Sequence, residues 1–277
     1  MNKSPQVIAI SSGKGGVGKT FFSVHLAARA TQLGKRVLLL DADLGLANVD
    51  VMLALEAKGS IAQVIDGQLT LSDILVRYGE DFDVLPGGSG LHELTRLSPR
   101  QQGVLLDEMD ELSKNYDLIL VDTAAGIGEN VMFFASSSES NLIILTPDPT
   151  SLTDAYALIK VLSNEHGVRR FMVAINQADE VTAQMIFNRL MSVSDRYLDV
   201  ILEPVGFMSE SPEVRKTIQS QALFYARAPQ ADIEILNKVI DTILSHPRNK
   251  SGGGLKFSWQ RSLSDGLDLS QQENAVI

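Results

Sequence analysis

Short apolar runs recur along this chain, separated by longer stretches in which apolar positions fall every three or four residues. Val7–Ile10, Val37–Leu40, Val84–Leu85, Leu118–Val121, Leu142–Leu145 and Phe171–Ile175 are unbroken by charge, as suits strands buried on both faces. Val200–Leu202 and Val205–Phe207 predict a last pair of strands. Thr20–Leu33 has the alanine-rich composition of a packed helix, and Leu152, Ala155, Tyr156, Ile159 and Leu162 share one helical face, as do Ile233, Leu236, Ile240, Ile243 and Leu244. This rhythm predicts an α/β fold with a mostly parallel sheet of about seven or eight strands covered by helices on both faces. One domain is expected over residues 1–246. Pro247–Gly254 then reads as a linker rich in proline, charge and glycine, with residues 255–277 as a tail.

Polar residues follow several of the predicted strands: Asp41 and Asp43, Asp122, Asp148 and Asn176. The C-terminal strand ends of an open α/β sheet are where ligands bind. Between the first strand and helix stands Gly13-Lys-Gly-Gly-Val-Gly-Lys-Thr20, the spacing of a phosphate-binding loop, which makes the chain a P-loop NTPase of Rossmann-like architecture. Gly15, Gly16 and Gly18 let the backbone, Val17 included, fold around a triphosphate. Lys19 is placed to reach the β- and γ-phosphates and Thr20 to ligate magnesium. Asp122 is placed like a carboxylate that holds magnesium directly or through water. Asp43 is positioned to prepare the attacking water, with Asp41 expected on the other side of the backbone. The alternative for either aspartate is a helix cap. Lys14 is an additional cation; placed against a phosphate of a facing subunit it would supply charge in trans, making hydrolysis depend on dimerisation.

Composition narrows these readings. There is no cysteine, which excludes disulfides, thiolate metal ligands and iron–sulfur clusters. The formal net charge of −10 argues against non-specific nucleic-acid binding. The four histidines, His25, His92, His166 and His246, lack metal-ligand spacing. No apolar stretch approaches the roughly 18 residues of a membrane span, and no leader is recognisable, so a cytoplasmic location is expected.

Lys14–Thr20 together with Asp41-Ala-Asp-Leu-Gly-Leu-Ala-Asn48 resembles the deviant-Walker ATPases of the MinD/ParA group over about residues 6–245. Within it, Asp41–Asp50, Asp122–Gly128 and Pro149–Lys160 look like the flagellar-number regulators of the FlhG/FleN type. The resemblance implies ATP and magnesium as cofactors. Lys14 would be the signature lysine acting across the dimer. Gly15–Thr20 would cradle phosphate, and Asp43 would prepare water. Asp41 and Asp122 would stand around magnesium, Asn176 would read adenine, and Asp148 would lie near the nucleotide at the dimer face. It further implies a monomer with ADP, a homodimer with ATP, antagonism of a sigma-54-type flagellar transcription activator, and work alongside a signal-recognition-type flagellar GTPase.

Three features depart from the group. The adenine-edge loop reads Gly206-Phe-Met-Ser-Glu-Ser211 where relatives commonly carry proline and aspartate, which leaves backbone contacts from Phe207, Met208 and Ser209. Six residues precede the first strand, so the GTPase-stimulating helix of some relatives is expected to be missing. Phe21–Phe22 replaces a small polar residue. In the tail, Leu255, Trp259 and Leu263 recur every four residues with Lys256 and Arg261 between them; this predicts an amphipathic helix reversibly anchored to the inner face of the cell membrane, the alternatives being a disordered tail or a helix docked on its own domain. Alternatives remain at this point: a cell-division or plasmid-partition positioning ATPase, or a small-molecule kinase or ligase, which would need a second substrate pocket beside the γ-phosphate.

Overall fold

A computed structural model describes residues 4–43, 48–87 and 97–247. The chain runs β1 (Gln6–Ser12), α1 (Lys19–Gln32), β2 (Val37–Ala42), α2 (Asn48–Leu53), α3 (Ile61–Ile65), α4 (Leu71–Ile74), β3 (Val76–Arg77), β4 (Phe82–Leu85) and α5 (Pro99–Ser113). It continues β5 (Leu118–Ala125), α6 (Glu129–Ser137), β6 (Ser140–Leu145), α7 (Pro149–His166), β7 (Arg170–Asn176), α8 (Glu180–Tyr197), β8 (Ile201–Met208), α9 (Pro212–Gln219), a 3-10 turn (Phe224–Ala226) and α10 (Gln230–Ser245). The linker after Pro247, the tail, residues 44–47 of the second motif and residues 88–96, with His92, lie outside the described residues.

Eight strands form one sheet in the order β3-β4-β2-β5-β1-β6-β7-β8, parallel throughout except for the antiparallel β3–β4 pair. Strand alternation sorts the core. Ile8, Ile10, Leu39, Leu120, Leu142 and Ala174 pack on one face with α1 and α10. Their neighbours Leu38, Leu40, Ile119 and Val121 pack against α3–α6, while Ile143, Val173 and Ile175 pack against α6–α8. Continuous apolar runs rather than alternating ones follow from this burial on both sides.

The expected last pair of strands is a single strand, β8. Val173 pairs with Pro204 and Ala174 with Gly206, so Val205 is the extra residue of a bulge. Gly206 has a φ of 132°, and a Cβ there would stand 2.7 Å from Val239 of α10. Proline is tolerated because β8 is the sheet's edge, where the missing N–H faces no strand. Glu203 is held between Arg170 and His246.

Phe21 and Phe22 are both buried, which accounts for their bulk. Phe21 lies against His25 and, edge-on, Phe224. His25 joins α1 to the C-terminal turn: its Nδ1 lies 2.7 Å from the Phe21 carbonyl oxygen, and its Nε2 accepts the Phe224 N–H at 2.8 Å. The ring is therefore neutral with its proton on Nδ1. Burial lowers its pKa to about 4, against the pull of the Phe21 carbonyl. As pH falls from the ordinary imidazole value toward 4, the unfolded chain takes up a proton that the folded chain refuses. The site should thus remove roughly 3 kcal/mol of stability across that window. Urea unfolding at about pH 6.5 and 4.5 is expected to show this loss in the native chain and a correspondingly smaller one in His25→Gln.

Candidate active site

Six residues, Gly13–Gly18, join β1 to α1 at the C-terminal edge of the sheet. Gly16 and Gly18 take left-handed φ values of 77° and 100°, which a side chain would oppose. α1 has no side-chain cap and no acidic residue in its first turn. Its leading N–H groups and the positive end of its dipole are left for an anion.

The loop is braced from behind. A Cβ on Gly13 would stand 2.2 Å from backbone atoms of Asp154 in α7. Asn176 donates from Nδ2 to the Val17 carbonyl at 2.8 Å, and a Cβ on Gly18 would meet that nitrogen at 2.3 Å. The residue expected at adenine thus also fixes the loop; its amide oxygen is the part left for a base. The register sets Met208 beside Asn176, and the Met208 carbonyl accepts the Ala178 N–H at 3.0 Å. The Phe207 and Met208 side chains pack into the core, and Ser209 is half-buried.

Lys14 lies outside this cradle. Its ammonium donates to Asp148 Oδ2 at 2.6 Å and Thr150 Oγ1 at 2.7 Å, with 39% of the side chain exposed. Asp148 also N-caps α7, accepting the Thr150 N–H and hydroxyl through Oδ1, both at 2.8 Å. Lys14 first, then Thr150, hold its carboxyl well below the usual range. Water screens such a pair, so little holds the lysine there.

Lys19, by contrast, is buried, with its charge close to Asp122. Asp41 and Asp122 are register partners on β2 and β5, and both are buried. Asp41 shares the α1 face with Asp122, and the residue turned the other way is Ala42. Asp41 accepts the Asp43 N–H through Oδ1 at 3.1 Å and the Val49 N–H through Oδ2 at 3.3 Å. Gly87 closes over it; a Cβ there would come within 3.0 Å of Oδ2. Burial and the neighbouring Asp122 raise the Asp41 pKa to about 8, opposed by those backbone N–H groups. Burial raises Asp122 to about 6, while the Lys19 charge and the Thr20 and Ser23 hydroxyls pull it down.

Magnesium fits these residues. Asp122 Oδ2 is buried without a hydrogen-bond partner, the Thr20 hydroxyl lies against the same carboxylate, and Asp41 stands on the next strand. No group of three or more acidic, histidine or cysteine side chains among the described residues is arranged to hold a metal by itself, so the ion would keep water and phosphate oxygens, as magnesium does. Two participants escaped the sequence reading. Thr150 was legible in Asp148-Pro-Thr, an N-cap pattern whose side chain faces back toward the cap. Ser23 was legible as the one polar residue in Phe21-Phe-Ser-Val24, one turn beyond Lys19.

Without nucleotide and magnesium, the folded chain keeps a proton on Asp41 that the unfolded chain has lost between about pH 4 and 8. Stability from this group is therefore present at low pH and lost as pH rises through the window. Asp41→Asn, neutral throughout, should gain in unfolding free energy over the native chain between pH 5 and 8; urea denaturation at both values measures the change.

Residues 5–175 match the AAA domain family. The chain is 44% identical over 236 residues to the antiactivator FleN of Pseudomonas aeruginosa, covering 85% of this chain and 84% of that protein. It is 32% identical to the flagellum site-determining protein YlxH of Helicobacter pylori, over 85% of this chain and 79% of the relative. The solved MinC:MinD cell division complex of Aquifex aeolicus superposes with a TM-score of 0.68 at 27% identity, covering 87% of this chain and 97% of the other. With a phosphate loop carrying a second lysine at its head, this chain belongs to the MinD/ParA-type deviant-Walker ATPases, among the flagellar-number regulators.

Proposed function

We propose that the chain is an ATP-timed dimerisation switch that limits flagellar number by restraining the flagellar transcription activator. The observation that carries this reading is the outward setting of Lys14. Gly15–Thr20 and Lys19 suffice to hold a triphosphate on one subunit; a second lysine tied only to exposed Asp148 and Thr150 is free to exchange them for a phosphate brought by a second copy. Charge supplied from a facing subunit is a strong accelerator of phosphoryl transfer.

In this reading ATP and magnesium are the cofactors, with Thr20, Asp41 and Asp122 around the metal. Magnesium, when bound, neutralises charge on the β- and γ-phosphates. Lys19 holds the same oxygens, Asp43 orients the water, and Asn176 with the Phe207–Ser209 backbone contacts the base. The names of the relatives, an antiactivator and a flagellum site-determining protein, support the flagellar activator as partner and leave the flagellar GTPase as a further one. No helix among the described residues is long and apolar enough to cross a membrane. Attachment would fall to the tail, where two copies on a dimer gain effective concentration.

Light scattering on a sizing column tests the switch. Asp43→Ala loaded with ATP and magnesium should run as a dimer, and with ADP as a monomer; a monomer that still holds ATP would overturn the reading. Lys14→Gln should bind ATP as the native chain does and hydrolyse it slower, on the order of 10³-fold, in a phosphate-release assay.

A further inference from the structure

Ser23 sits one helical turn after Lys19 on α1 and is completely buried. Its hydroxyl stands 3.0 Å from Asp122 Oδ1 and 3.0 Å from the Lys19 carbonyl oxygen. One proton serves two acceptors, and the carboxylate oxygen is the stronger when charged. The effect on Asp122 is geometric. A carboxylate on a strand can rotate about its side-chain bonds; with Oδ1 held by Ser23, the group's orientation is restricted, and Oδ2, buried and without a hydrogen-bond partner, is the oxygen left open on the carboxylate that the Thr20 hydroxyl also faces. The same hydroxyl touches the carbonyl of Lys19, so the metal-side carboxylate and the phosphate-side lysine are referred to one point on α1.

We infer that Ser23 is a positioning residue for magnesium: it does not touch the ion, but presents Asp122 Oδ2 to it. The inference rests on the proposed nucleotide and magnesium site. Groups that orient a ligand from behind are typically worth 10- to 100-fold in metal affinity. A polar residue serving only to fill the core would have no such effect, since its loss would weaken the fold and not the ion.

The test is magnesium titration of the full chain bound to a fluorescent ADP, with a parallel measurement of ADP affinity in excess chelator. Ser23→Ala should raise the half-saturating magnesium concentration about tenfold while metal-free ADP affinity stays within about twofold. Ser23→Thr, which keeps the hydroxyl, should stay near the native value. Adding Ser23→Ala to Asp122→Asn should change nothing further. If Ser23→Ala does not fold, Ser23→Cys carries the test, since it conserves shape with only a weak donor and should show the same rise. Unchanged magnesium dependence in a folded Ser23→Ala or Ser23→Cys overturns the inference, as does an equal loss of ADP affinity in chelator or an additive effect on Asp122→Asn. A native chain whose ADP binding ignores magnesium would instead overturn the site itself.

Discussion

Two carboxylates stand side by side in the interior, Asp41 and Asp122, in register on neighbouring parallel strands. Burying two like charges in register is unfavourable, and the surroundings are organised to make it tolerable. Backbone N–H groups after β2 turn back onto Asp41, and Gly87 leaves room for it. Ser23 and the charge of Lys19 face Asp122. The compensation is incomplete, as the raised pKa values record. A site left short of positive charge in its interior is one that a divalent cation completes.

The phosphate loop shows the complementary arrangement. Behind, it is fixed by close packing of Gly13 on α7 and by the Asn176 amide on Val17. In front, its N–H groups have no side-chain partner in the first turn of α1. With the loop braced from behind and donor N–H groups without a side-chain cap in front, binding energy goes into holding the anion rather than into ordering the loop. Lys14 belongs to neither side. Its exposed ion pair with Asp148 reaches across to the helix against which the loop packs, a solvent-screened contact that the lysine can leave.

Much of this was legible from residues alone. Seven of the strands follow short apolar runs bounded by polar residues, and the loop spacing located the site because few backbones other than one closing on phosphate need glycine at those offsets. What was not legible depended on contacts between distant segments. The two-residue strand β3 has no pattern of its own and exists through pairing with β4. The bulge at Val205 looked like a gap between strands, because Glu203–Pro204 interrupts the pattern without interrupting the backbone. Thr150 and Ser23 have ordinary helical roles in isolation and acquire others through Lys14 and Asp122.

The two edges of the sheet bear on how copies of this chain can meet. On one side the last strand is two residues long and reversed; on the other, Pro204 and a bulge break the row of donors and acceptors that an added strand would need. Both ends of the sheet are thereby closed to lateral growth. In the proposed dimer, self-recognition lies on the loop face, where a two-fold contact satisfies itself and stops at two copies. Edge pairing has no such limit; blocking it separates counting from aggregation.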